Sequence, residues 1–424
     1  MKTSAIILFA ATYLLLLTFP KYRAYIALTS AAVYVVLGIL PLQKVFSSVD
    51  WNVIFMIAGT MGVVGLFIES KMPSLLADRM IERMPNVKWA IISLALFSGI
   101  VSAFVDNVAT VLMVAPVALT IAKKLKMSPV LSIIAISVSS NLQGAATLVG
   151  DTTSILLGGY ANLNFLDFFF VDGKIGIFWV VEVGALVSTL VLVLLFRKEK
   201  QTIHTMERTE VKDYFPTGLL VGIIILMICA SFIPDQYKPR TINGIICMSL
   251  FIIGLFRKLI KTREVGSIKD AIRDIDYSTI LLLTGLFIVI GGITEAGIVE
   301  DIGNLFVKLS NDNVFLIYTL IVWASVLFSA FIDNIPYVLT MLPVTAEISF
   351  QMGIEPNLLF FGLLIGATLG GNITPIGASA NITGLGILRR EGYEVSAPTF
   401  MKISVPFTLA AVITGYLLNW FIWS

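Results

Sequence analysis

The sequence predicts an all-α polytopic membrane protein, built as an inverted-topology repeat of five spans plus one re-entrant hairpin in each half. Three observations carry that reading. The 424 residues are 57% hydrophobic and only 13% charged, against about 25% charged in ordinary soluble proteins. Apolar runs recur at lengths near the ~20 residues that cross a bilayer core. The second half also repeats the motifs of the first at a nearly constant offset.

Taken in order, the first half has spans at 4–19, 24–40 and 51–68. The first run lacks a basic leader and a small-residue cleavage site, so it reads as a span and not as a secretory signal. Residues 70–88 are too charged to span and read as an interfacial amphipathic helix. Residues 89–122 are apolar but hold Asp106-Asn107 at their centre, and 128–160 are interrupted by "GAATLVGDTTS". A last span at 175–196 leads into a polar linker at 197–216. The second half follows suit, with spans at 216–233, 241–256 and 277–293 and a polar stretch at 295–312. A second acid-centred segment lies at 314–350, a second broken one at 357–388, and a final span at 403–422. Cys229 and Cys247, in separate apolar runs, read as packing residues.

The repeat can be checked by subtraction. "SAFVDNVATVLMVAPV" begins at Ser102 and "SAFIDNIPYVLTMLPV" at Ser329, an offset of 329 − 102 = 227. The same offset takes Gly144 to Gly371, Thr147 to Thr374, Gly150 to Gly377, and Asp151 to Ala378. "DWNVIFMIAG" from Asp50 matches "DYSTILLLTG" from Asp276 at 276 − 50 = 226, which takes Glu69 to Glu295.

Residues 89–122 are too long for one crossing and too short for two with a turn, so a hairpin tipped at Asp106-Asn107 fits. Each half then has five crossings, and an odd number inverts the second half. Allowing for the hairpins, 23 of the 29 basic residues fall on one side and six on the other. The richer side is cytoplasmic, which puts both termini outside the cytoplasm of a cell's inner (plasma) membrane, with lipid as the surrounding partner.

Hairpin tips and helix breaks at mid-membrane expose backbone groups that lipid cannot satisfy, so they must face protein or a wet cavity. Such convergence of half-helices is the pattern of secondary transporters that bind substrate and coupling ion near the midplane. Asp106, Asp333 and Asp151 are the acids there, and an ionisable group at that depth is costly unless functional or locked to a partner. They are the candidates for ion or proton coupling. The alternative is that each merely caps a half-helix. Asn107, Asn334, Thr147, Thr374, Ser379 and Asn381 are candidate substrate ligands, with Gly144 and Gly371 permitting backbone approach. For the hydroxyl residues, bonding to their own helix backbone is the competing role. Glu69 and Glu295 read as helix-terminal, and Asn141 as a residue that could line the cavity. No metal centre is expected, since the only histidine, His204, lies in the linker. There is no nucleotide-binding loop and no nucleophile constellation, so neither an enzyme, a cofactor nor a nucleic-acid partner is implied. The bound species expected are Na⁺ or H⁺.

"SAFVDNVATVLMVAPV", "NLQGAATLVGDTTS", "SAFIDNIPYVLTMLP" and "GGNITPIGASANI" resemble the ArsB/NhaD-type permeases of the ion transporter superfamily. That group includes P-protein-like carriers and, more distantly, citrate and dicarboxylate carriers. The resemblance implies an elevator mechanism, commonly in a homodimer. A scaffold (1–88 and 198–312) would hold the dimer contact, and a transport domain (89–197 and 313–424) would carry the hairpins and broken helices. The polar stretches 70–88 and 295–312 would be the arms between them. By the same analogy a cytoplasmic ATPase could dock on the linker. Dicarboxylate carriers of the superfamily place Ser-Asn-Thr where this chain has Val-Asp-Asn and Ile-Asp-Asn, and no Arg or Lys lies in the four elements. Arsenite or antimonite efflux against inward H⁺ is therefore the first expectation. Na⁺/H⁺ antiport is the second, and cation-coupled transport of dicarboxylate, citrate or another anion the third. A channel is a distinct class that would not need two hairpins around one site.

Overall fold

The computed structural model describes residues 1–199, 201, 209–211, 213–263, 265–273 and 275–424. The expectation for His204 and most of the linker lie outside the described residues. Every apolar run forms helix. The first half comprises α1 (Lys2–Thr18), α2 (Arg23–Val36), α3 (Leu42–Ser48), α4 (Trp51–Glu69), α5 (Met72–Ile81), α6 (Val87–Ser102), α7 (Asn107–Leu125), α8 (Val130–Gln143), α9 (Thr152–Tyr160) and α10 (Ile177–Leu195). The second comprises α11 (Phe215–Ser231), α12 (Ile242–Thr262), α13 (Val265–Arg273), α14 (Tyr277–Glu295), α15 (Ile298–Ser310), α16 (Val314–Ser329), α17 (Asn334–Met352), α18 (Pro356–Leu364), α19 (Ser379–Arg390) and α20 (Ala397–Trp423). One two-residue antiparallel pairing, β1 (Phe170–Val171) with β2 (Lys174–Ile175), is the only strand structure among the described residues.

Helix starts fall where a side chain can satisfy a free backbone N–H, and they do so in matched pairs. Asp50 accepts from the Val53 amide and Asp276 from the Thr279 amide, each at 3.1 Å. Asn86 caps α6 and Asn313 caps α16. Asp106 caps α7 and Asp333 caps α17. Among the described residues, seven helices are long and apolar enough to cross a membrane, or up to nine if each of two bent pairs is one span. The amphipathic stretches form α5 and α15, as expected.

The acid-centred segments are helix pairs broken at 103–106 and 330–333. Their first arms, α6 and α16, have 16 residues each. Their second arms, α7 and α17, have 19. They run three and two residues past the expected segment ends at 122 and 350, to Leu125 and Met352, and both continue through an internal proline, Pro116 or Pro343. A missing N–H there costs one hydrogen bond and does not stop the helix.

Packing exchanges partners between the halves. α4 lies along α12, and α14 lies along α2. A Cβ at Gly59 would come within 2.4 Å of the Cys247 backbone, and one at Gly285 within 2.6 Å of the Ala27 backbone. These glycines are equivalent at offset 226, so one close-approach device serves both contacts. α4 and α14 also run in opposite directions. The start of α4 shares one cavity with the end of α14, whereas the end of α4 shares another with the start of α14.

Candidate functional site: an acid-lined cavity between the hairpin tips

Two breaks and two tips meet. In the first half α8 stops at Gln143 and α9 resumes at Thr152. In the second, α18 passes into a π-helical turn at Ile365–Leu369, then a short 3₁₀ turn, before α19 begins at Ser379. Wide turns of this kind recur where a helix is bent for function.

The two copies are locally alike. Thr147 Oγ1 donates to the Ala103 carbonyl, and Thr374 Oγ1 donates to the Ala330 carbonyl. A Cβ at Gly150 would lie 2.6 Å from the Gly144 oxygen, 2.8 Å from that of Ala103 and 2.9 Å from that of Ser102. One at Gly377 would meet the oxygens of Gly371, Ala330 and Ser329 at 2.5, 2.8 and 2.8 Å. Only a residue without a side chain lets the break approach the tip this closely.

Between tips and breaks lies a cavity of about 540 Å³. Asp106, Asp151 and Asp333 line it, with Asn107, Asn334 and Ser379 of the expected substrate ligands. The other expected ligands, Thr147, Thr374, Asn381, Gly144 and Gly371, stand behind its wall. The threonines pin the tips as above. Asn381 donates to the carbonyls of Gly371 and Thr374 at 3.3 and 3.2 Å. A Cβ at Gly144 would sit 3.0 Å from that of Asp151, and one at Gly371 would sit 2.8 Å from Asn334 Oδ1.

Asp106 Oδ1 accepts from the amides of Val108 and Ala109, at 3.0 and 3.1 Å. Asp151 accepts from its neighbour amide, Thr152, at 2.7 Å and from Thr153 Oγ1 at 3.1 Å. Neither has an ion-pair partner among the described residues. Capping and cavity lining thus coexist in Asp106. Asp333 accepts from the Ile335 amide at 3.0 Å and is ion-paired with Arg23 at 2.6 Å.

A buried polar network ties the halves together. Asn107 Nδ2 donates to Asn141 Oδ1 at 3.0 Å, and Asn141 Nδ2 donates to the Thr368 carbonyl at 2.7 Å. The Thr153 and Thr368 hydroxyls lie 2.9 Å apart, and Asn372 donates to the Val138 carbonyl at 2.9 Å. The buried Ser102 Oγ, Asn372 Oδ1 and Asn381 Oδ1 have no protein partner among the described residues.

Reading the sequence alone misses three contributors. Asp276 lines the cavity as a fourth acid, and its signal was the Asp opening both copies of the α4/α14 motif. Thr368 carries no motif; only the π-turn brings it to Asn141. Arg23 looks like one more loop cation until α2 is seen beside the second tip.

A chain of apolar helices whose broken elements gather polar groups around an internal cavity is an integral membrane carrier. The citrate transporter family model (CitMHS) matches residues 13–366, and the chain belongs to that family, within the ion transporter superfamily. It is a secondary transporter and not an enzyme. Similar proteins include an uncharacterized transporter of Mycobacterium tuberculosis, 30% identical over 433 residues and covering 99% of this chain and 98% of that one. The P protein of Homo sapiens is 26% identical over 493 residues, covering 97% of this chain and 59% of that protein. Among solved structures, the YdaH transporter of Alcanivorax borkumensis shares the fold with a TM-score of 0.61 at 14% identity, covering 94% of this chain and 96% of that one. MtrF of Neisseria gonorrhoeae gives 0.52 at 15% identity, covering 87% and 80%.

Proposed function

We propose that the chain is a proton-coupled antiporter that exports arsenous or antimonous acid, with Asp106 and Asp151 carrying the coupling proton. The observation behind this reading is the cavity's charge. Four carboxylates line it, and no basic side chain does so among the described residues. Among the described residues Asp333 alone of the four is ion-paired, to Arg23. Such a wall repels a free polyanion and accepts a proton, a small cation or a neutral hydroxide. The uncharged acid would be held by asparagine and hydroxyl groups, chiefly Asn107, Asn334 and Ser379. Exchange would follow movement of 89–197 and 313–424 against 1–88 and 198–312, within a homodimer of the inner membrane.

Na⁺/H⁺ antiport is the second reading, favoured by the same two free carboxylates beside a threonine hydroxyl. The family model's description favours citrate. In a cavity of this charge, that substrate would have to arrive with its own cations.

The test is arsenite resistance in a bacterial strain lacking its own efflux pump. Resistance is expected from the wild type and should fall to background with Asp106→Asn, at unchanged membrane abundance. Absent resistance together with Na⁺-driven pH change in proteoliposomes would select the second reading, and citrate uptake the third.

A further inference from the structure

The second hairpin is held from outside itself at three points. Arg23 Nη1 lies 2.6 Å from Asp333 Oδ2. Tyr13 donates to the Pro336 carbonyl at 2.7 Å, and its hydroxyl also meets that of Thr340. Asp333 caps α17, and Pro336 and Thr340 lie in its first two turns. Tyr13 belongs to α1 and Arg23 opens α2, on either side of a 112° corner between the first two helical segments. One corner therefore grips one helix start.

The first tip has no such grip. Among the described residues the Asp106 carboxylate bonds only amides of its own helix, those of Val108 and Ala109. The tips match in sequence and local geometry, so the grip is an addition made by α1 and α2.

The three contacts cross the boundary of the proposed movement, since the corner lies in 1–88 and α17 in 313–424. Hydrogen bonds and ion pairs tolerate only tenths of an ångström, so none survives when one body slides past the other. Their surroundings let them open. Asp333 lines the acid cavity, and the paired side chains are 26% and 15% exposed. Water can reach both charges as they part, which avoids the full cost of stranding a dry charge. Tyr13 leaves no orphan acceptor, because the Pro336 carbonyl also accepts from Thr340 Oγ1 at 3.0 Å.

We propose that Tyr13 and Arg23 form a releasable latch on the second hairpin. It holds the chain in the state seen here, with four acids around one cavity, and opens before the hairpins move. This rests on the reading that 89–197 and 313–424 move against 1–88 and 198–312. It adds that the bias toward one state is set at the second hairpin alone, with Tyr13 and Arg23 as positioning residues.

Two spin labels, one on each body, test this by pulsed electron-resonance distances. Gly218→Cys in α11 and Gly386→Cys in α19 carry them, since a Cβ at either meets nothing within 4 Å. The full-length protein is cysteine-free elsewhere and co-expressed with excess unlabelled chain, so only distances within one chain are read. With the latch intact, one distance should dominate. Tyr13→Phe, which removes only a hydroxyl, and Arg23→Gln should each raise the share of a second distance. If Arg23→Gln fails to fold because it strands Asp333, the doubly neutral Arg23→Gln/Asp333→Asn protein, whose asparagine still caps α17, takes its place with the same expected shift. An unchanged distribution in folded Tyr13→Phe and in the folded charge variant would overturn the latch. Adding arsenite, then Na⁺, to the latched chain separates this from the reading beneath it. A second distance induced by either, with no effect of the variants, keeps the movement and sinks the latch. One unchanging distance in every sample sinks both.

Discussion

At the scale of single residues, the site depends on how closely backbone can approach backbone. Gly150 and Gly377 each face three carbonyl oxygens at distances no methyl group tolerates. Gly150→Ala and Gly377→Ala should each cost about 1–3 kcal/mol through forced displacement. A lower Tm for the detergent-purified variants would register it, and an unchanged Tm would mean that the tip lies further from the break. The threonines that pin the tips obey the same logic at smaller size. Legibility differed by residue type. The acids stood out because a carboxylate in an apolar run needs a reason. Thr147 and Thr374 were legible as paired polar residues, but not as wall supports, because a hydroxyl's partner depends on which carbonyl the fold brings near.

Among elements, the junction between the linker and α11 carries the clearest electrostatic signature. Asp213 accepts from Arg257 Nη1 at 2.9 Å on each oxygen, and from Lys261 at 2.8 Å. Burial pushes its carboxyl up, but the hydrogen bonds from Lys261, the Phe215 amide and Arg257 outweigh that and hold its pKa at about 2. A depressed acid stabilises the fold above its unfolded value of about 3.9, and the contribution is lost as pH falls through the folded value. Asp213→Asn should therefore lower Tm at pH 7, and the gap to wild type should close as pH approaches 2. A gap independent of pH would exclude the ionic account. The helix pairs teach a related lesson. Their tips were readable from Asp106-Asn107 and Asp333-Asn334, whereas the length of the second arms was not. Lys123 and Lys124 at the end of α7 mark the close of the apolar run but not of the helix, which runs on to Leu125.

For the whole molecule, the inversion expected of the two halves makes a topological prediction. In a cysteine-free background, a cysteine replacing Ser424 should react with an impermeant thiol reagent on intact cells. One replacing Glu391 should react only after the membrane is opened. Both sites are exposed, so accessibility within the fold does not confuse the result. Labelling of both from outside would contradict the orientation drawn from the 23-to-6 split of basic residues.

The sequence by itself determined the membrane class, the helix order, the duplicated motifs and the three acids of the central elements. Each of these follows from local composition or from spacing along the chain. Only the tertiary structure decided which acids share a cavity, that Asp276 joins them and that Arg23 neutralises Asp333. Those contacts join segments as many as 310 residues apart, and no periodicity encodes the meeting of a helix from one half with a hairpin tip from the other.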